Sequence, residues 1–444
     1  TATVVALYTP LALNQTEEVN SILSATRKFY NKSGMLFLAL TLVLIGVYPF
    51  FISGQLENSL VRWMILVLAG STLVDYFFLG KYRVLLTANQ EGYVVALIQA
   101  AGTIVNMVVS IFLIYIGAGV LFVKAVATGV YMLRLVLVKI YAKRKYPALD
   151  FYAEPNEGAL KQKNAALLHQ VVGIIVNNTD TTVLTICLGA KSLLEVSVYG
   201  IYMMVVNAVN QLMTSFSNGL TAGFGEVIAK NEEETLKKSY SSYEYMYFVI
   251  MFIVIACMGV LILPFVGVYT INLTDVQYVR PVLGILFTLI VFMQNVRIPG
   301  LTIICAAGHY KETRYQAILE AVINITVSLG LVWKFGMAGV LLGTVCSYGY
   351  RSFEIVFYTS RHLVKGCAKK SMFRILRNVF TVAILCTVGT YVIPQEITSF
   401  TTWFLYAIGM GLTSVFLVVV INYVVEPDEF MQLRHRVNDI IKKE

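Results

Sequence analysis

Aspartate, asparagine and arginine inside otherwise apolar stretches are the residues of this chain best placed to do chemistry. The densest group is Asn177-Asn178-Thr179-Asp180-Thr181-Thr182. On a helix, His169, Gly173, Asn177 and Asp180 stand at offsets 0, 4, 8 and 11 and share one stripe. Asp180 then lies roughly 24 Å along its span at 1.5 Å per residue. A carboxylate at that depth is costly unless it faces water, a proton or a cation, so Asp180 is a candidate for ligand contact or ion coupling, and the intramembrane Asp75 is a second coupling candidate. The next apolar run places Asn207, Asn210, Thr214 and Asn218 on one face. Any single Asn or Thr is explained equally well as interhelical glue worth about 0.6 kcal/mol. Two adjacent helices with matching polar stripes point to a wet lining.

Cations form the second group. Arg297 stands in Met293-Gln294-Asn295-Val296-Arg297-Ile298-Pro299-Gly300, far from either end of its apolar run. Pro299 breaks the backbone ladder there and frees a carbonyl for a ligand or a hinge. Arg351 is also deep, with Glu354 three residues on as a neutralising partner. Lys124 and Arg134 lie nearer the ends of their run, where long side chains reach the headgroups. Glu320 is intramembrane but shallower. A cavity with several fixed cations attracts an anion such as a phosphate, and arginine offers it a two-pronged fork. Arg297, Arg351 and Lys124, with Asn177, Asp180, Asn207 and Asn210, are therefore the candidate substrate-binding residues.

The elements that must position these residues are membrane spans. With 58% hydrophobic and 13% charged residues, the chain falls far below the roughly 25% charge of a soluble domain. Runs long enough for the ~20 residues a bilayer demands fall at about 33–53, 61–80, 92–116, 118–140, 164–188, 193–219, 245–269, 281–306, 315–334, 338–359, 378–393 and 402–425. The fold class is thus an all-α polytopic membrane protein with 12 transmembrane helices. Of its 34 Lys and Arg residues, 26 fall in alternate loops, four in the opposite loops (Arg62, Lys191, Arg280, Lys334) and four within spans. Positive residues are retained in the cytoplasm, which places both ends of this chain there. A net charge of +9 spread over short loops is a topological signal and does not form a nucleic-acid surface.

The chain also nearly repeats itself. Ala118-Gly119-Val120-Leu121 recurs as Ala338-Gly339-Val340-Leu341, each opening an apolar run after one with a mid-span asparagine, Asn106 or Asn324. Asn14-Gln15-Thr16-Glu17-Glu18 is echoed by Lys230-Asn231-Glu232-Glu233-Glu234, and the runs that follow end at Pro49 and Pro264. Two lobes built alike in a bilayer suggest a transporter. Two spans precede the acidic linker of the second copy, and the first copy has no room for them. The expectation is therefore that the complete protein has an additional N-terminal pair of spans. The expected organisation is 1–150 as an N-terminal lobe of four spans, 151–366 as a C-terminal lobe of six, and 367–444 as two additional spans and a cytoplasmic tail. The polar stretch 143–163 would be a hinge, and 227–245 an amphipathic helix on the inner surface or a solvated linker.

Other chemistry finds no support. There is no Walker-type phosphate loop, the four histidines show no metal spacing, and the six cysteines are scattered without CxxC pairs. No cofactor is implied. Asn272-Leu273-Thr274 matches a glycosylation triplet of little weight.

Asp75 through Gln90 (DYFFLGKYRVLLTANQ), the Asn177–Asp180 span, and Arg297-Ile298-Pro299 followed by Ala306-Ala307-Gly308-His309-Tyr310-Lys311-Glu312-Thr313 resemble the bacterial polysaccharide-repeat-unit (Wzx-like) flippases. These belong to the multidrug, oligosaccharidyl-lipid and polysaccharide exporter superfamily. The resemblance implies two pseudo-symmetric helical lobes around a central cationic cavity plus two C-terminal helices. It further implies a transporter, not an enzyme, in the bacterial cytoplasmic membrane. Its cargo would be undecaprenyl-diphosphate-linked oligosaccharide repeat units, moved to the outer leaflet by alternating access for capsule, O-antigen or exopolysaccharide assembly. Implied partners are the lipid-linked oligosaccharide, membrane lipids, a coupling H+ or Na+, and a polysaccharide polymerase and chain-length regulator; nucleic acid is not among them. A lipid II flippase, differing in head group, and a multidrug or organic-cation exporter, which needs an acidic cavity, are the alternatives.

Overall fold

The computed structural model describes residues 15–51, 56–89, 91–147, 149–151, 153–156, 163–217, 232–309, 312–394 and 396–431, together with Leu7, Pro10, Leu11, Phe224, Val227 and Ile228. Among them there is no strand. Twelve long helices follow in order: α1 (Thr16–Phe51), α2 (Asn58–Ala88), α3 (Gly92–Tyr115), α4 (Val120–Lys145), α5 (Lys163–Cys187), α6 (Ser192–Ser217), α7 (Glu233–Tyr269), α8 (Pro281–Ala306), α9 (Arg314–Phe335), α10 (Met337–His362), α11 (Ala368–Val392) and α12 (Phe400–Val425). Among the described residues, ten are long and apolar enough to cross a membrane. The two others, α5 and α10, carry Asn177, Asp180 and Arg351 of the residues singled out above.

Helix ends follow local chemistry. Glu17 and Glu18 open α1, and Glu233 and Glu234 open α7, next to the positive end of the helix dipole. Lys143, Arg144 and Lys145 close α4 at the negative end. Pro281 occupies the first turn of α8, where its missing N–H costs nothing. Large side chains such as Phe50, Leu97, Trp333 and Phe416 stand more than half exposed, as lipid-facing residues must.

Three expected boundaries change. Runs expected to begin at 33, 245 and 378 are the ends of helices that begin at Thr16, Glu233 and Ala368. Glu17 and Glu18 lie in the first turn of α1, and Glu233 and Glu234 in that of α7. The amphipathic helix expected at 227–245 is, from Glu233 onward, the start of α7, with Leu236, Tyr240 and Tyr243 through Tyr245 buried. Those tyrosines and Glu244 cover partners from other helices and not a lipid surface.

Two helices depart from regular winding beside a candidate residue. In α2, Asp75–Leu79 form a π turn, a feature often found at functional sites. In α8 the helix breaks at Arg297, between Val296 and Ile298, because Pro299 has no N–H to donate and its ring crowds the preceding turn.

The chain divides into two units, Thr1–Leu167 and Leu168–Glu444. The first has a modest core in which Leu23, Leu85, Leu86 and Ala142 are almost fully covered. The second has a larger core, in which Tyr202 stacks on Phe287 with ring centroids 5.0 Å apart. Within this second unit α9 and α10 approach most closely at Gly339 and Gly343. A Cβ on Gly343 would lie 2.2 Å from Ser328 Oγ and 2.7 Å from its backbone N, and one on Gly339 would lie 2.4 Å from the Leu331 carbonyl. This is the small-xxx-small packing by which helices associate in lipid. The matching glycine of the repeat, Gly119, has nothing within 4 Å. The two copies share sequence, but only the second uses the glycine for packing. Helices α11 and α12 lie on α7: Trp403 Nε1 donates to the Leu261 carbonyl at 3.3 Å, and Gly389 makes room for Val260.

Candidate functional site

The second unit gathers several of its intramembrane polar side chains where α5, α8, α9 and α10 pack together. At their centre is Glu320 on α9, 7% exposed. Oε1 lies 2.5 Å from Arg297 Nη1 at the break in α8, and Oε2 lies 3.5 Å from Arg351 Nε on α10. Arg351 also pairs with Glu354 one turn on, and the Arg297 guanidinium sits 4.5 Å over the Tyr348 ring. Two arginines thus face two glutamates, and the group carries no formal excess charge. The sequence places Arg297 and Arg351 as cations of a cavity, and the structure shows both ion-paired. Low dielectric explains the pairing, since an unpaired charge there costs several kcal/mol.

Tyr348 connects this group to α5 by donating to Asn177 Oδ1 at 3.1 Å. One turn along, Asp180 is 4% exposed. The Thr344 hydroxyl lies 2.7 and 2.9 Å from its two carboxylate oxygens, and the Tyr199 hydroxyl donates at 3.4 Å. Asn324, fully buried, donates its amide to Thr344 Oγ1 at 3.0 Å and to Ser347 Oγ at 3.4 Å, and its own Oδ1 has no hydrogen-bond partner among the described residues. Among the described residues Asp180 therefore faces neutral hydroxyl donors, with an unpartnered amide oxygen belonging to the same cluster. A carboxylate in that setting can take up a proton or a small cation.

The remaining candidates separate from this network. Asn210 joins another polar knot. It donates to Gln294 Oε1 at 2.9 Å and accepts from Asn295 Nδ2 at 2.9 Å, and Asn295 in turn accepts from the Tyr247 hydroxyl at 2.9 Å. That arrangement bonds α6, α7 and α8 to one another. Asn207 is exposed on α6. Lys124 is exposed on α4. Asp75 pairs with Arg83 at 2.9 Å within the first unit, its other oxygen buried without a hydrogen-bond partner among the described residues. Arg134 Nη2 donates to the Gly102 carbonyl at 2.6 Å, and its stem occupies the space a Cβ on Gly102 would need. The side chains of His169 and Asn218 lie outside the described residues.

Thr344, Tyr348 and Tyr199 are partners the sequence reading missed. Thr344, Tyr348 and Arg351 stand at i, i+4 and i+7 on α10, and that spacing was the available signal. A further buried charge cluster was also missed. Arg374 on α11, 1% exposed, holds Glu244 of α7 at 3.0 Å, Glu426 at 2.7 Å and Glu429 at 3.4 Å. Burial alone would raise the carboxyl of Glu426, but hydrogen bonds and charge from Arg374 and Arg377 outweigh it and hold that carboxyl below its usual range. Glu429 is likewise held low, by Lys370, Ser241 and Arg374 against burial.

No protein-family profile and no curated protein matches the sequence. Solved structures do match the fold. The lipid II flippase MurJ, in its inward closed conformation, superposes with a TM-score of 0.67 at 16% identity, covering 95% of this chain and 88% of that one. The eukaryotic MATE transporter AtDTX14 gives 0.55 at 14% identity over 84% of this chain and 86% of that one. A MATE protein in the bent conformation gives 0.53 at 14%, over 87% and 84%. This chain has the all-helical membrane fold that these proteins share.

Proposed function

We propose that this protein is a flippase for undecaprenyl-diphosphate-linked oligosaccharide repeat units, working by alternating access for polysaccharide assembly at the bacterial cytoplasmic membrane. The observation that carries the reading is the network of Arg297, Arg351, Glu320 and Glu354 held inside a membrane bundle of this fold. Buried charge of that density is retained in lipid for substrate or ion handling. Glu320 acts as the resident anion. It neutralises both arginines until a diphosphate, with more oxygens and more charge, displaces it. Asn177 and the exposed Asn207 are suited to sugar hydroxyls. Asn210 is bonded to Asn295, two residues before the break at Arg297, and is a further substrate contact in this reading. Asp180 and the Asn324 oxygen hold the coupling proton or sodium ion, and Asp75 is the second coupling candidate. Both chain ends are cytoplasmic in this reading.

One specific observation favours a second reading, lipid II as cargo: the likeness to the lipid II flippase spans nearly the whole chain. An organic-cation exporter is disfavoured because the buried group is charge-balanced and not acidic. The experiment that decides is flipping in proteoliposomes made with the full-length gene product, using fluorescent lipid-linked oligosaccharide and lipid II in parallel. The repeat-unit reading expects the first to move and to depend on a proton or sodium gradient. It expects that dependence to vanish in Asp180→Asn, and Lys191→Ala to behave as the parent. Movement of lipid II alone replaces the cargo, and movement of neither removes the flippase reading.

A further inference from the structure

The first unit holds a second, separate concentration of charge. Two cavities, of about 660 Å3 and about 520 Å3, adjoin across Arg27 and Asn31 of α1, which line both, and are treated together as a basin. Among the described residues its cations are Arg27, Lys28, Lys32, Lys81, Lys139 and Lys143, and its carboxylates are Asp150 and Glu154. That is a formal excess of four positive charges. Three helices supply them: α1 in its first half, and α2 and α4 towards their C-terminal ends.

The basin is built and does not consist of loose surface lysines. Lys81 is only 8% exposed. Its ammonium sits 5.5 Å over the Tyr82 ring and 5.1 Å over that of Phe151. The segment carrying Phe151 is tied down, since Asp150 N donates to Asn20 Oδ1 at 2.9 Å and Asn156 N to the Ser21 carbonyl at 3.3 Å. Like charges crowded on fixed walls repel one another, and a bound anion relieves that repulsion.

The rim sets the class of anion. Met35 borders the first cavity and Phe78 the second, and they are 61% and 60% exposed, at the start of the lipid-facing surface. A ligand that fits both halves has a phosphate for the cations and a hydrocarbon chain for the apolar rim. We infer that this basin binds the phosphate headgroup of an anionic membrane lipid, with its tail along Met35 and Phe78. Its residues belong to the first unit and none is a member of the Arg297–Glu320 network, and the inference stands apart from the transport reading because its readout is lipid binding and not flipping.

The test is equilibrium binding to the purified full chain by native mass spectrometry, with undecaprenyl diphosphate, phosphatidylglycerol, phosphatidylcholine and inorganic diphosphate as separate probes. The two anionic lipids should bind at least ten-fold more tightly than phosphatidylcholine. Arg27→Gln/Lys143→Gln, at partly exposed positions that spare the core, should reduce that preference ten-fold or more, as should Lys81→Met. Lys334→Gln, on α9 of the other unit, should leave it unchanged. A preference for undecaprenyl diphosphate over phosphatidylglycerol identifies the headgroup as a diphosphate, and equal binding identifies a general phospholipid site. Equal binding of phosphatidylcholine, binding of inorganic diphosphate without either lipid, or an unchanged preference in the folded Arg27→Gln/Lys143→Gln chain would each overturn the inference.

Discussion

Neutralising Glu320 is the sharpest test of the buried network, because one carboxylate serves two arginines. In Glu320→Gln, Arg351 keeps Glu354 as its partner. Arg297 loses its contact at 2.5 Å and keeps the Tyr348 ring. Breaking a buried pair by removing one member costs about 3–5 kcal/mol, of which the ring returns about 1–2 kcal/mol at a desolvated site. A net loss of about 1–4 kcal/mol remains, or roughly 5- to 700-fold in the folding constant at 1.4 kcal/mol per tenfold. Removing the orphaned charge as well should recover much of it, so Arg297→Met/Glu320→Gln should be more stable than the sum of the two single variants predicts, by about 1–3 kcal/mol of coupling. Denaturant unfolding of the four proteins in mixed micelles measures both quantities. A Glu320→Gln protein within 0.5 kcal/mol of the parent, or strictly additive single variants, would refute the claim that this carboxylate neutralises Arg297.

Three further outcomes follow from other parts of the molecule. Gly343→Val places side-chain atoms where Ser328 Oγ and backbone N already stand, so α9 and α10 must separate. The expected loss is about 1–3 kcal/mol, read by unfolding, and Gly119→Val should cost little by the same measurement. Glu426 and Glu429 have carboxyls lowered in the folded state. Their contribution is complete above the ordinary carboxylate value near 4.5 and fades as pH falls through the lowered folded values. Thermal stability should therefore drop below about pH 4.5 in the parent, and the drop should shrink in Glu426→Gln/Glu429→Gln; an equal drop in both would remove the role given to these two groups. In a cysteine-free background, cysteines at Asn58 and Ser399 should react with an impermeant thiol reagent from outside and those at Lys145 and Lys365 should not. The reverse labelling would invert the proposed topology.

Composition and apolar run length determined that this chain is an all-helical membrane protein, because a bilayer leaves the backbone few ways to satisfy its hydrogen bonds and the required length is fixed by its thickness. Proline spacing located the break in α8 for the same local reason: the missing N–H of Pro299 acts wherever the helix is packed. The polar residues that matter were visible one at a time, since Asp180, Arg297, Glu320 and Arg351 are each anomalous in their own span. Their pairing was not visible. Glu320 lies 23 and 31 residues from the two arginines it serves, and Thr344 is 164 from Asp180, so only the packing of α5, α8, α9 and α10 brings them within bonding distance. The polar starts of α1 and α7 read as linkers because their partners, such as Arg374 for Glu244, come from distant segments. The repeat shows the same limit, for Gly119 and Gly339 stand in identical four-residue motifs and the tertiary structure alone decided which of them a neighbouring helix would touch.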